Sequence, residues 1–95
     1  MALFVITALD KPDGAPLRAE HRPAHRAYLA EQGTMLKVAG PLLDDGGAMI
    51  GSLFIIEVAH RAEAEAFHAA DPFSQIGLFA SFEIRPWLLT IGGFA

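Results

Sequence analysis

Two helices covering one face of a single four-stranded antiparallel sheet, an α+β domain, is the architecture this sequence predicts. Three observations carry that reading. Strand-like and helix-like stretches follow one another in the order βαββαβ. The two middle strands are joined by a tight polar turn, whereas the other connections run through helical stretches. No linker, repeat or low-complexity segment divides the 95 residues, so one domain spanning 1–95 is expected.

The elements can be justified in order. Ala2 to Leu9 is rich in β-branched and aromatic residues and stops at the turn cluster Asp10-Lys11-Pro12-Asp13-Gly14. It lacks alternation, as expected of a central strand covered on both faces. Leu17 to Gln32 consists of good helix formers. At about 100° per residue, Leu17, Ala24 and Tyr28 share one face, with His21, Gln32 and His25 beside it and Leu29 further round. Pro23 removes a backbone donor, so the helix should begin near it or kink there. Gly33 is a plausible stop.

Met35 to Gly40 reads as the second strand, ended by Pro41. Asp44-Asp45-Gly46-Gly47 is a hairpin turn, and Ala48 to Val58 the third strand. Gly51-Ser52 inside it suggests a bulge or a close backbone approach. Arg61 to Ala70 should be a second helix packing Ala62, Ala66, Phe67 and Ala70. Pro72 then forbids continuation and pushes Asp71 out of helical geometry. Phe73 to Phe79 is a connection, and Ala80 to Leu89 the last strand. Gathered into one sheet, these strands give the ferredoxin-like arrangement.

A chain this small buries only about 60–65% of its extended-state surface, yet 53% of its residues are hydrophobic. A second copy packed on the helix-free face is the simplest cover, so a homodimer is expected, a dimeric α+β barrel. The formal charge of −4 argues against nucleic acid as a partner, because phosphate binding needs a dense basic face. With no cysteine there is no disulfide framework, thiol nucleophile or cysteine metal site. No apolar run is long enough for a bilayer and no signal-peptide pattern opens the chain, so no membrane partner and a cytoplasmic location are expected.

Two ionisable residues stand in distinctive contexts: His25 in Arg22-Pro23-Ala24-His25, and Asp71 in Asp71-Pro72-Phe73. Histidine is the side chain suited to moving protons near neutral pH, and a carboxylate can fix its tautomer. His25 should lie at the border of the apolar helix face, where it could equally be a packing residue; Asp71 could equally be no more than a helix terminator. If the helices lie side by side the two could meet. Arg22, three residues before His25, could reach the same space and attract an anionic substrate. His21 and His25 have the i, i+4 spacing of a metal pair, but no Glu or Cys completes a set, and no metal is expected. Ser52 lacks a nucleophile-elbow context and is at most a pocket-lining hydroxyl. Without a phosphate loop or dinucleotide fingerprint, no cofactor is implied.

Asp10-Lys11, Arg22-Pro23-Ala24-His25, Ala39-Gly40-Pro41-Leu42, Gly51-Ser52, Asp71-Pro72-Phe73 and Ile84-Arg85-Pro86-Trp87 occur here in an order and spacing that resemble the YciI-like, or YCII-related, family over essentially the whole chain. The resemblance implies a dimeric α+β barrel with an active site centred on a His–Asp pair, carried here by His25 and Asp71. Gly40, Pro41 and Phe73 lie in matching segments and are assigned with Arg22 and Ser52 to substrate binding. The resemblance also implies proton abstraction from a small oxygenated ring, of the isomerase or dehydrochlorinase type. Two readings follow: cofactor-free acid/base chemistry on a small anionic cyclic compound, or a non-catalytic dimeric module binding a metabolite or partner. Cofactor-independent oxygenation is a third, resting on fold analogy alone. The apolar tail from Thr90 to Ala95 matches no motif of the family.

Overall fold

The computed structural model describes residues 1–94; of the tail, Ala95 lies outside the described residues. The strands are β1 (Ala2–Asp10), β2 (Leu36–Leu43), β3 (Met49–Val58) and β4 (Phe79–Trp87). The helices are α1 (Ala15–Ala30), α2 (Arg61–Ala70) and the short α3 (Pro72–Gln75). The sheet order is β2-β3-β1-β4 with antiparallel pairing throughout, the ferredoxin-like topology expected from the sequence.

Register sets the two faces. Phe4, Ile6 and Ala8 of β1 lie opposite Ile56, Phe54 and Ser52 of β3, and opposite Pro86, Ile84 and Phe82 of β4. The core forms on this side: Phe4, Ile6, Phe54, Ile56, Val58 and Ile84 pack with Ala64 and Phe67 of α2, while Tyr28 and Leu29 of α1 close over them. The alternate residues, Leu3, Val5, Leu53 and Ile55, are only half-buried. In the single chain β1 is therefore central in the sheet but covered on one face.

Several local expectations are corrected. α1 starts at Ala15, with Pro16 in its first turn, and runs through Pro23 without a break. Its inward residues are Arg18 and His25, with Leu17, His21, Tyr28 and Leu29 half-buried; Ala24 is exposed. Pro41 lies within β2 rather than ending it, which is possible because β2 is an edge strand. α2 has the expected bounds but buries Ala64, Phe67 and His68; Ala62, Ala66 and Ala70 are exposed. The segment read as a connection from Phe73 to Phe79 begins inside α3, and β4 begins at Phe79 and ends at Trp87.

Other features hold. Gly33 adopts a φ of 63°, as a residue closing a helix with glycine allows. Asp44 Oδ1 accepts hydrogen bonds from the Gly46 and Ala48 N–H groups, tying the hairpin turn. At Gly51 a Cβ would collide with the Ala8 carbonyl oxygen, and the β2–β3 register shifts beside it. Close approach and irregularity occur together. No helix among the described residues is long and apolar enough to cross a membrane.

Candidate active site

Asp71 is where α2 stops and α3 begins. Its backbone is extended, with φ −60° and ψ 130°, as a residue before proline requires. Pro72 fits the first turn of α3, where its missing N–H costs nothing. As the cap of α3, Asp71 accepts the Phe73 N–H at Oδ1, 3.0 Å away. The same oxygen is 2.7 Å from Nδ1 of His25, 46 positions away in the chain. Asp71 is fully buried and His25 is 7% exposed. The two groups expected to meet do meet, through the close approach of α3 to α1.

The imidazole is held from several sides. Phe73 stacks on it, centroids 4.0 Å apart and planes 15° from parallel. Phe54 meets it edge-on at 5.8 Å. An ionised carboxylate only accepts, so Nδ1 carries the hydrogen of the short bond and Nε2 of the neutral ring keeps its lone pair. His25 thus lies at the centre of the inward α1 face, not at its border. Phe73, assigned above to substrate binding, is fully buried and does not line the cavity. It is a support for the imidazole plane.

A second ionic group stands beside the first. Arg18 donates from Nε to Asp10 Oδ2 at 2.7 Å and from Nη2 to Asp10 Oδ1 at 2.8 Å. Nη2 also donates to Ser52 Oγ at 3.0 Å. Both ion-pair side chains are 6% exposed. The Arg18 guanidinium carbon lies 4.7 Å from the centre of the Phe73 ring, so that ring touches both charged pairs. The arrangement ties the end of β1, the start of α1 and the middle of β3.

Between α1 and the β2–β3 hairpin is a cavity of about 220 Å³. Arg18, Arg22, His25, Arg26 and Leu29 supply one wall, and Ala39, Gly40, Pro41, Met49 and Ser52 the other. The helical wall follows i, i+4, i+7, i+8, i+11 spacing, a single helix stripe. Five of the seven residues assigned from the sequence to the site line this cavity, His25, Arg22, Gly40, Pro41 and Ser52, whereas Asp71 and Phe73 do not. Neither Arg22 nor Arg26 forms an ion pair among the described residues. A chain of net charge −4 therefore carries a locally cationic pocket.

Sequence reasoning missed Asp10 and Arg18 as a pair, and missed Arg26 and His68. The signal for Arg18 and Arg26 was present: both share the stripe of Arg22 and His25. His68 is buried among Phe79 and Phe82, at centroid distances of 5.6 and 4.2 Å. Burial pushes its pKa below the ordinary value, while the Asp71 charge pulls it back up. Tyr28 donates to the Phe67 carbonyl at 2.8 Å, and burial, followed by the Asp71 and Glu31 charges, raises its pKa.

Comparison with known proteins agrees over most of the chain. The YCII-related domain model matches residues 2–88. Two curated relatives, each called Protein YciI, from Escherichia coli O6:H1 and Shigella flexneri, are 35% identical over 94 residues; the match covers 90% of this chain and 95% of each relative. Among solved structures, 5-chloro-2-hydroxyhydroquinone dehydrochlorinase (TftG) from Burkholderia phenoliruptrix AC1100, in complex with 2,5-dihydroxybenzoquinone, superposes with a TM-score of 0.85 at 34% identity, covering 90% of this chain and 93% of that one. An antibiotic biosynthesis monooxygenase superposes with a TM-score of 0.57 at 12% identity, covering 96% of this chain and all of that one. That second likeness shows the fold alone.

Proposed function

This chain belongs to the YCII-related family, and we propose that it is a small-molecule enzyme performing cofactor-free acid/base chemistry on a compact anionic ring compound. The observation that carries the proposal is the 2.7 Å contact between the buried Asp71 carboxylate and Nδ1 of a histidine that also lines a cationic cavity. Asp71 does not line that cavity, so Nε2 is the nitrogen left for a substrate.

The roles follow from the geometry. His25 takes a proton from a ring hydroxyl or an acidic C–H at Nε2. The electron pair released moves into the ring. Return of the proton at a ring carbon gives an isomer; where that carbon bears chlorine, loss of a second hydroxyl proton then expels chloride from the now tetrahedral carbon, for a net loss of HCl. Asp71 holds the productive tautomer and stabilises the imidazolium formed. Arg22 and Arg26 attract the substrate and balance the charge of the enolate or phenolate. Arg18, already paired with Asp10, shapes the wall and presents Ser52. The dehydrochlorinase likeness, at 34% identity, favours elimination from a chlorinated hydroxyhydroquinone as the first reaction to try.

The proposal includes a second copy on the helix-free face, where Leu3, Val5, Leu53 and Ile55 are half-buried and Val38 and Trp87 exposed. A cytoplasmic location suits a chain without cysteine.

The test is turnover of chlorinated hydroxyhydroquinones and unsaturated lactones by the wild-type protein and by His25→Gln. Removing a positioned base should lower the rate about 10²–10⁴-fold with the fold retained. Asp71→Asn should also lower it by favouring the wrong tautomer. A rate unchanged in folded His25→Gln would overturn the assignment.

A further inference from the structure

One oxygen of Asp71 is fully used; the other is not. Oδ1 accepts from His25 and from the Phe73 N–H, whereas Oδ2, equally enclosed, has no hydrogen-bond partner among the described residues. A buried carboxylate oxygen left unmatched keeps its full desolvation penalty. Two other enclosed polar atoms share this condition: Nδ1 of His68 and Oγ of Ser74.

These three atoms flank one junction, the last turn of α2, its cap Asp71 and the first turn of α3. His68 precedes Asp71 by one helical turn, and its carbonyl accepts the Asp71 N–H at 3.3 Å. Ser74 follows by one turn of α3, the position from which a side chain returns toward its helix cap. The proximity of His68 is also felt electrostatically, since the Asp71 charge acts on its titration. A buried water makes about three hydrogen bonds to such otherwise unmatched groups.

We propose that a trapped water joins Asp71 Oδ2, His68 Nδ1 and Ser74 Oγ, making His68 a positioning residue for the His25–Asp71 pair. The water donates to Oδ2 and accepts from an Nδ1–H of neutral His68; Ser74 completes the set. The carboxylate is then fixed at both oxygens, Oδ1 by the Phe73 amide and His25, Oδ2 by the water. Rotation about the Asp71 side chain, which would loosen the 2.7 Å contact, is opposed from both ends. Phe79 supports the arrangement by meeting Phe73 edge-on at 6.1 Å while stacking on His68, so the two histidines rest on one aromatic group. Neutral His68 agrees with its burial, which disfavours the charged ring.

The inference deepens the acid/base reading, but its test needs no substrate, so each can fail without the other. The experiment is NMR on the native protein: ring nitrogen shifts to identify the His68 tautomer, and nuclear Overhauser transfer from a long-lived water to the His68 and Ser74 side chains. The expected result is an Nδ1–H tautomer with a water cross-peak. In His68→Leu the cross-peak should be lost and the His25 Nδ1–H proton should exchange faster with solvent. His68→Gln, which retains a hydrogen-bonding group, should largely preserve the slow exchange. An Nε2–H tautomer or no water signal in the native protein would overturn the proposal, even if His68→Leu failed to fold. So would unchanged His25 exchange in folded His68→Leu.

Discussion

Asp10→Ala is the substitution whose effect on stability the structure defines best. It removes two charge-assisted hydrogen bonds, of 2.7 and 2.8 Å, from an Arg18 side chain that is 6% exposed. What remains to the guanidinium is the Ser52 hydroxyl and the Phe73 ring. Breaking a buried ion pair by removing one partner costs about 3–5 kcal/mol, because the surviving charge stays uncompensated. Arg18 borders a cavity that water can enter, which places the expected loss near the lower figure. For a domain whose total stability is about 5–15 kcal/mol, about 3 kcal/mol is a large fraction. At about 4–8 °C per kcal/mol for this chain length, the midpoint should fall by about 12–24 °C. The assay is thermal and urea unfolding at one fixed protein concentration, since any self-association would shift the midpoint. The double variant Asp10→Ala with Arg18→Met closes a thermodynamic cycle. It should regain much of the loss, because no orphaned charge is left. A loss under about 1 kcal/mol in the single variant would refute the reasoning, as it would place the pair among surface ion pairs.

Three further outcomes follow. His68 is buried with its pKa held below the ordinary 6.5, so the unfolded chain binds the extra proton first. Stability should therefore fall as pH drops below about 6.5 toward the lowered value, with no such loss above it, and His68→Phe should flatten that slope in urea titrations at a series of pH values. Gly51→Ala would drive a methyl group into the Ala8 carbonyl oxygen across the central strand pair, where backbone leaves no room for it; a loss of about 1–3 kcal/mol is expected in denaturant unfolding. Ile55→Asp, on the helix-free face, should convert a proposed dimer to monomers in sedimentation velocity, while a wild-type protein sedimenting as a monomer would remove the dimer itself.

Much of the fold could be read along the chain because its signals are short-range. A β-branched run broken by Lys11-Pro12-Asp13-Gly14, a polar Asp44–Gly47 turn and Asp71-Pro72 each act within a few residues, and the topology follows from their order. His25 and Asp71 stood out for the same reason. Hydropathy, however, picked Phe67 and Tyr28 correctly but mistook several inward residues on both long helices. It favoured Ala24 on α1 and Ala62, Ala66 and Ala70 on α2, where folding buries Arg18, His25 and His68 instead. Those side chains can enter because Asp10, Ser52, Asp71 and a group of aromatic rings, contributed by distant segments, meet them there. A buried charge is tolerable only beside its partner, and a partner 46 positions away exists only once the chain has closed. The sequence by itself determined the four strands and the two long helices, though not α3; tertiary structure alone decided which polar groups leave water together, and that choice made the site.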